Sequence, residues 1–190
     1  LKTLTPVENL NAFLTASEHS TIAAVWNVLY MKGLVTNQTV EPSHELLQKI
    51  IRLKNELHER ILIEEANAVP GAVEFIHALA SGGLEGKLAV ASSAIRREIE
   101  LFFDKTGLDK HFSSDRIKAR EDVEFTKPNP EVFHLAFSSL GLSESDRAAT
   151  IVFEDDPRGI MAAVAAGLTV CAITTRFDKK HLRGLEIPPH

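Results

Sequence analysis

The sequence contains one cysteine and no long apolar run, and each absence excludes a class of protein. Cys171 has no second thiol among the 190 residues, so no internal disulfide can form and a reducing compartment is expected. Because it lies in the apolar run 168–173, Cys171 is predicted to pack in the core. No stretch approaches the roughly 20 apolar residues that cross a bilayer, and the start carries no secretory signal. We therefore predict a cytoplasmic protein without a membrane partner.

The chain also lacks an excess of basic residues. Its formal net charge is -5, and acids and bases are interspersed along the sequence. A protein that binds the nucleic-acid backbone shows a basic face or stripe, so nucleic acid is not an expected partner. No glycine-rich phosphate loop follows any predicted strand, which argues against a doubly wound nucleotide-binding module.

Two helices are predicted in the first third of the chain. Apolar residues recur at helical spacing over residues 17–32, where Gly33 is placed to end the helix, and again over 42–64. No strand pattern occurs in this region, which predicts a helical domain over residues 1–66. The apolar residues expected to share one face of the second helix are Leu46, Ile50, Leu53, Leu57 and Ile61.

After Val69 the pattern changes to short apolar runs that alternate with helical segments. Strands are predicted over 87–91, 150–153 and 169–173, and helices over 71–80, 95–106, 130–140 and 159–166. Such alternation implies a mainly parallel sheet with helices on both faces. We predict an α/β fold with a doubly wound, Rossmann-like sheet over residues 67–190, in which ligands bind beyond the carboxyl ends of the strands.

Three consecutive carboxylates follow one predicted strand. Asp156 suits the N-cap of a helix that has Pro157 at its first position, and this role explains one acid. Glu154 and Asp155 have no such structural need to be acidic. Mg²⁺ prefers carboxylate oxygens and usually keeps a substrate phosphate in its shell. We therefore predict Asp155, with Glu154, as ligands of a magnesium ion.

Two further polar sites are expected at the same edge of the sheet. Ser92 with Ser93 follows a predicted strand, and Lys127 precedes a predicted helix. Ser92 offers a hydroxyl, and the amides of Ser93 and Ala94 are expected to open a helix whose N-terminus favours phosphate. The alternative is that Ser92 is a simple helix cap. Lys127 directly precedes Pro128, and Pro130 follows two residues later. The two prolines stiffen this segment, so the Lys127 ammonium is aimed at phosphate oxygens, or else it is a solvated lysine at a helix entry.

Taken in order, these motifs resemble the haloacid dehalogenase-like hydrolase superfamily. The resemblance is carried by residues 88–93 (LAVASS), 127–133 (KPNPEVF) and 151–167, and residues 69–75 look like the return from a helical cap in the β-phosphoglucomutase-like branch. It implies that Ser92 and Ser93 bind phosphate. It also implies that Lys127 and Ser92 are catalytic, that Glu154 and Asp155 bind Mg²⁺, and that residues 1–66 form the cap.

The same resemblance implies an Asp-x-Asp motif at the end of a first core strand, whose first aspartate forms an aspartyl-phosphate. Residues 1–14 contain no aspartate, and that strand is missing from the sequence. Because residue 1 is Leu rather than Met, we expect translation to begin upstream. These 190 residues are expected to be inactive by themselves.

Three functional hypotheses remain open. The first is a magnesium-dependent phosphohydrolase that acts on a small phosphorylated metabolite, such as a sugar phosphate, with its nucleophile outside this chain. A phosphosugar mutase with the same parts is a variant of it. The second is a non-catalytic phosphate-binding protein derived from the same fold, and the third is the unrelated nucleotide-binding module. The oligomeric state is not readable from the sequence.

Overall fold

The computed structural model describes residues 21–185. The chain divides into two compact units between Ile61 and Leu62. The domain boundary that the sequence places near Asn67 stays a prediction. Within residues 21–185, no helix combines the length and apolarity needed to cross a membrane.

The first unit contains helix α1, Thr21–Met31, and most of helix α2, Glu45–Glu64. The part of the first predicted helix before Thr21 lies outside the described residues. Gly33 ends α1 as predicted: its φ is 67°, and the N–H of Leu34 donates to the carbonyl of Leu29 in a Schellman motif.

Trp26 is fully buried at the centre of this unit, among the buried residues Leu29, Val35 and Leu47. The second predicted helix is present as α2, and its predicted apolar face is covered only in its first half. Leu47 is the buried residue of this helix, whereas the last three members of the predicted face are 40–55% exposed. The reason is that only the start of α2 packs against the cluster around Trp26.

The second unit alternates helices with four short strands. The strands are β1, Val90–Ala91; β2, Ile117–Lys118; β3, Ile151–Glu154; and β4, Thr169–Ala172. The helices are α3, Ala72–Leu79; α4, Arg96–Thr106; α5, Glu131–Ser139; α6, Pro157–Ala165; and α7, Lys179–Arg183. Each predicted helix and strand of this region is present, while β2 and α7 were not predicted.

The strands pair in parallel, as the alternation predicted. β1 pairs with β2, with Val90 opposite Ile117, and β3 pairs with β4, with Ile151 opposite Thr169. Within residues 21–185 the two pairs are not hydrogen-bonded to each other, so the single predicted sheet is present as two parallel pairs.

Each strand pair packs on its own helices. Val152 and Val170 point into a core formed chiefly by α5 and α6, which contains Phe133 and Phe137. Cys171 alternates with Val170 and therefore lies on the opposite face of β4, where it is exposed. The prediction that Cys171 packs in the core is thus wrong, because the apolar run did not reveal which strand face the helices cover.

Candidate functional site

A cleft of about 480 Å³ lies where β1 and β3 end. Ser92 follows the carboxyl end of β1, Asp155 follows that of β3, and Lys127 bonds to the last residue of each strand, so the predicted polar residues lie in one place. The structure therefore brings together every residue predicted for the site. The polar side chains that line the cleft are Ser92, Ser93, Lys127, Glu154, Asp155, Asp156, Arg158 and Arg176.

Lys127 connects the ends of the two strand pairs. Its Nζ donates to the carbonyl of Ala91 at 3.1 Å and to Oε2 of Glu154 at 2.6 Å, and it lies 4.7 Å from the ring centroid of Phe133. The Lys127 and Glu154 side chains are only 10% and 11% exposed. A buried, paired ammonium does not match the alternative of a solvated lysine.

The loop that carries Lys127 is held by the first turn of α5. The Glu131 carboxylate accepts the backbone N–H groups of Phe125 and Glu124 at 2.9 and 3.0 Å. These two bonds, Phe125 first, hold the pKa of Glu131 below its usual value. The side chain of Asn129 in turn accepts the N–H of Glu131. The peptide bond between Lys127 and Pro128 is cis.

Glu154 is fixed on both of its oxygens. Oε2 accepts from Lys127, while Oε1 accepts the N–H groups of Asp155 and Asp156, both at 3.1 Å. The Glu154 carboxylate rests against Gly159 in the first turn of α6, where a side chain would collide with it. These partners of Glu154 are all protein donors, so Asp155 is the freer carboxylate of the two.

Asp156 is the N-cap of α6, as predicted, and Pro157 occupies the first helical position. Its Oδ1 accepts the N–H of Arg158 at 2.9 Å, and its Oδ2 accepts from Arg176 at the same distance. Asp155 accepts on Oδ2 from the hydroxyl of Thr175 at 2.7 Å. Sequence reasoning missed Thr175 and Arg176, because a polar loop after a strand carries no motif that would identify them.

Ser92 does not cap a helix. Its Oγ accepts the N–H of Ala94 at 3.1 Å, and α4 begins only at Arg96, after an Ile95 N-cap. The prediction that the Ser93 and Ala94 amides open this helix is therefore wrong. The first turn of α4 already has a carboxylate at its N-terminus, because Glu121 accepts the N–H of Arg96. Among the described residues, nothing accepts a hydrogen bond from the N–H of Ser93.

The donor chemistry of the cleft fits a hard cation in part. Within residues 21–185 no group of three or more His, Cys, Asp or Glu side chains is arranged so that it could hold a metal ion. Mg²⁺ is nevertheless commonly bound through one or two carboxylates together with water and substrate phosphate. Asp155 fits this description, since no described residue donates to its Oδ1. The cleft could therefore hold Mg²⁺ only with further oxygen ligands.

Comparison with known proteins shows the family of this chain. The family model for haloacid dehalogenase-like hydrolases matches residues 10–173. Among curated proteins, glycerol-1-phosphate phosphohydrolase 2 of Saccharomyces cerevisiae is 36% identical over 126 residues, which cover 63% of this chain and 48% of the yeast protein. The chain thus spans about half the length of the curated relatives it matches.

Two solved structures share the fold. A haloacid dehalogenase hydrolase of family IA, variant 3, from Entamoeba histolytica superposes with a TM-score of 0.74 at 23% identity, over 98% of this chain and 76% of that one. A candidate β-phosphoglucomutase from Thermotoga maritima gives a TM-score of 0.70 at 23% identity, over 96% and 76%. These similarities confirm the predicted Rossmann-like α/β fold.

Proposed function

The chain belongs to the haloacid dehalogenase-like hydrolases, and from this premise we propose that it forms the phosphate-binding and cation-binding part of a magnesium-dependent phosphohydrolase. Its substrate is a small phosphomonoester, such as a sugar phosphate. The observation that carries the proposal is the position of Lys127, which joins the ends of β1 and β3 between the Ser92 hydroxyl and the acidic run. Residues 1–66 are proposed to be the helical cap domain.

Lys127 is proposed to neutralise the oxygens of the transferred phosphoryl group. A buried ammonium acts more strongly on a nearby anion than a solvated one, because water does not screen it. Its partner Glu154 holds it in place, and the Ala91 carbonyl fixes a second N–H direction. Among the described residues the ammonium has no third hydrogen-bond acceptor, and this N–H is proposed to donate to a phosphate oxygen.

The Ser92 and Ser93 segment is proposed to bind the phosphate. Both residues line the cleft, and the Ser93 N–H has no acceptor among the described residues. The Ser92 hydroxyl already accepts from Ala94, so its own hydrogen is available to donate to a phosphate oxygen. A hydroxyl and an amide that converge beside an ammonium suit a tetrahedral anion.

Asp155 and Glu154 are the residues that would hold Mg²⁺. The bound ion would neutralise charge that develops on the phosphoryl oxygens. The free Oδ1 of Asp155 is the direct ligand that this chain offers. Glu154 orients the backbone of the acidic run, because its Oε1 accepts the N–H groups of Asp155 and Asp156.

The nucleophile is assigned to a segment outside these 190 residues. The sequence contains no pair of aspartates two residues apart, so it brings no Asp-x-Asp motif of its own. In the proposed reaction, an oxygen of the first aspartate of that motif attacks phosphorus and the ester P–O bond breaks. The leaving alkoxide takes a proton from the carboxylic acid of the motif's second aspartate and departs as the alcohol. Water then hydrolyses the resulting aspartyl-phosphate.

Ligand titration tests the part of the site that this chain supplies. Isothermal titration of residues 1–190 with inorganic phosphate in the presence of Mg²⁺ is expected to show binding. Ser92→Ala should weaken it about tenfold, the loss of one hydrogen bond to a charged group. Ser139→Ala removes a hydroxyl that bonds to Ala136 within α5, and it should change nothing. Equal loss in both variants would contradict the assignment.

Activity tests the position of the nucleophile. Residues 1–190 alone should show no magnesium-dependent hydrolysis of p-nitrophenyl phosphate, whereas the product of the complete gene should hydrolyse small phosphomonoesters. Turnover by residues 1–190 that disappears in Asp155→Asn would show that this chain holds its own nucleophile.

A second candidate is a phosphate-binding protein without turnover. The absence of an Asp-x-Asp motif from the 190 residues favours it. An activity assay of the complete gene product distinguishes the two candidates. That product is expected to bind phosphate in both cases and to hydrolyse a phosphomonoester only in the first.

A further inference from the structure

The loop after β4 contacts the acidic run through Thr175, which the proposed function does not use. The Thr175 hydroxyl donates to Oδ2 of Asp155 at 2.7 Å. A backbone hydrogen bond holds the start of this loop on β3, because the N–H of Ile173 donates to the carbonyl of Glu154 at 2.9 Å. The position of Thr175 is therefore set by the pairing of β3 with β4.

Asp155 has no other side-chain restraint among the described residues. Its backbone N–H is bound by Glu154, but its carboxylate has a single protein donor, the Thr175 hydroxyl. An aspartate carboxylate turns about two torsions, the outer of which is broad. A hydroxyl that holds Oδ2 thus selects one orientation of the group and leaves Oδ1 without a protein partner.

We propose that Thr175 is a positioning residue for Asp155, whose hydroxyl holds Oδ2 so that Oδ1 is directed to a divalent cation in the cleft. The inference rests on the proposed function, because it assumes that Asp155 binds a cation. Groups that hydrogen-bond to a ligating carboxylate fix its orientation, and their loss typically costs 10–100-fold in metal affinity.

The neighbouring Arg176 serves a different purpose. It pairs with Asp156, which caps α6, and its side chain is 64% exposed. An exposed ion pair of this kind contributes little energy. The two neighbouring loop residues therefore hold different carboxylates, Thr175 that of Asp155 and Arg176 that of Asp156.

Cation binding tests the proposal on residues 1–190. Isothermal titration with Mg²⁺, in the presence of inorganic phosphate to supply further oxygen ligands, should show about tenfold weaker binding in Thr175→Val than in the unaltered chain. Thr175→Ser keeps the hydroxyl and should restore the affinity to within about twofold. Thr169→Val is the matched control, because its hydroxyl donates to the carbonyl of Ala148 at the other end of β4. This control should not alter the affinity.

A crystal structure of Thr175→Val gives a readout that does not depend on the cation. The Asp155 carboxylate should leave its orientation in this variant and keep it in Thr175→Ser. Unchanged Mg²⁺ affinity or an unchanged Asp155 rotamer in Thr175→Val would overturn the positioning role. If the unaltered chain binds no Mg²⁺, the cation site of the proposed function fails, while the rotamer comparison still decides whether Thr175 orients Asp155.

Discussion

Gly159 faces the carboxylate of Glu154 so closely that a β-carbon there would collide with Glu154 Cδ. Both residues belong to the turn from β3 into α6. The missing side chain at Gly159 gives the Glu154 carboxylate room to lie between the helix and the Lys127 ammonium. The ion pair at the base of the cleft therefore depends on a glycine that is not itself part of it.

Gly159→Ala is expected to lower the free energy of unfolding by about 2–4 kcal/mol. The higher helix propensity of alanine stabilises the variant by about 1 kcal/mol and offsets part of the loss. Overpacking costs about 1–3 kcal/mol, and displacement of Glu154 from Lys127 adds part of the cost of a broken buried pair. Urea denaturation followed by circular dichroism measures the difference. Gly82→Ala is the control and should stay within about 1 kcal/mol, because a β-carbon at Gly82 would meet no atom within 4 Å.

Lys127→Met should destabilise the protein by about 3–5 kcal/mol. The substitution leaves the Glu154 carboxylate, only 11% exposed, without its cation. Lys127→Met combined with Glu154→Gln removes both charges and should recover part of the loss. Chemical denaturation of the four proteins in this cycle measures the coupling. A double variant whose loss of stability equals the sum of the losses in Lys127→Met and Glu154→Gln would mean that the two side chains are not energetically coupled.

The acid dependence of stability should contain a contribution from Glu131. Hydrogen bonds from the N–H groups of Phe125 and Glu124 hold the pKa of this group below its ordinary value of 4.5. Because the folded pKa is the lower one, the stabilisation is complete above pH 4.5 and is lost as the pH falls through the folded pKa. The stability difference between the unaltered protein and Glu131→Gln should therefore shrink as the pH is lowered.

Urea titrations between pH 6 and pH 3 measure this difference. Glu124→Gln is the control, since it changes an exposed glutamate on the same loop. A stability difference for Glu131→Gln that is constant over the whole range would contradict the assignment. The backbone of the loop before Lys127 would then not be held by the ionised carboxylate.

Local rules predicted much of the fold and one part of the site. The N-cap at Asp156 and the helix end at Gly33 depend on neighbours within a few residues, so the sequence shows them directly. The two-residue strand β2 has no periodicity and could not be predicted. Cys171 was placed in the core wrongly, because an apolar run does not say which face of its strand a helix will cover.

The site was predicted as a set of residues but not as a set of contacts. Parallel strands bring their carboxyl ends together, and this rule was enough to gather Ser92, Lys127 and Asp155. The pairing of Lys127 with Glu154 joins residues 27 positions apart, and the contact of Thr175 with Asp155 joins residues 20 apart. Side-chain geometry decides both contacts, and no spacing in the sequence encodes it.

Asp156→Ala should lower the free energy of unfolding by about 1 kcal/mol, the usual value of a helix N-cap. The substitution removes the acceptor for the N–H of Arg158 and the partner of Arg176. The cap dominates, because the ion pair to Arg176 is exposed and contributes little. Asp156→Ser keeps a capping oxygen but no charge, so it should recover most of the stability in urea denaturation. If serine is as destabilising as alanine, the charge on Asp156 rather than its capping bond stabilises the start of α6.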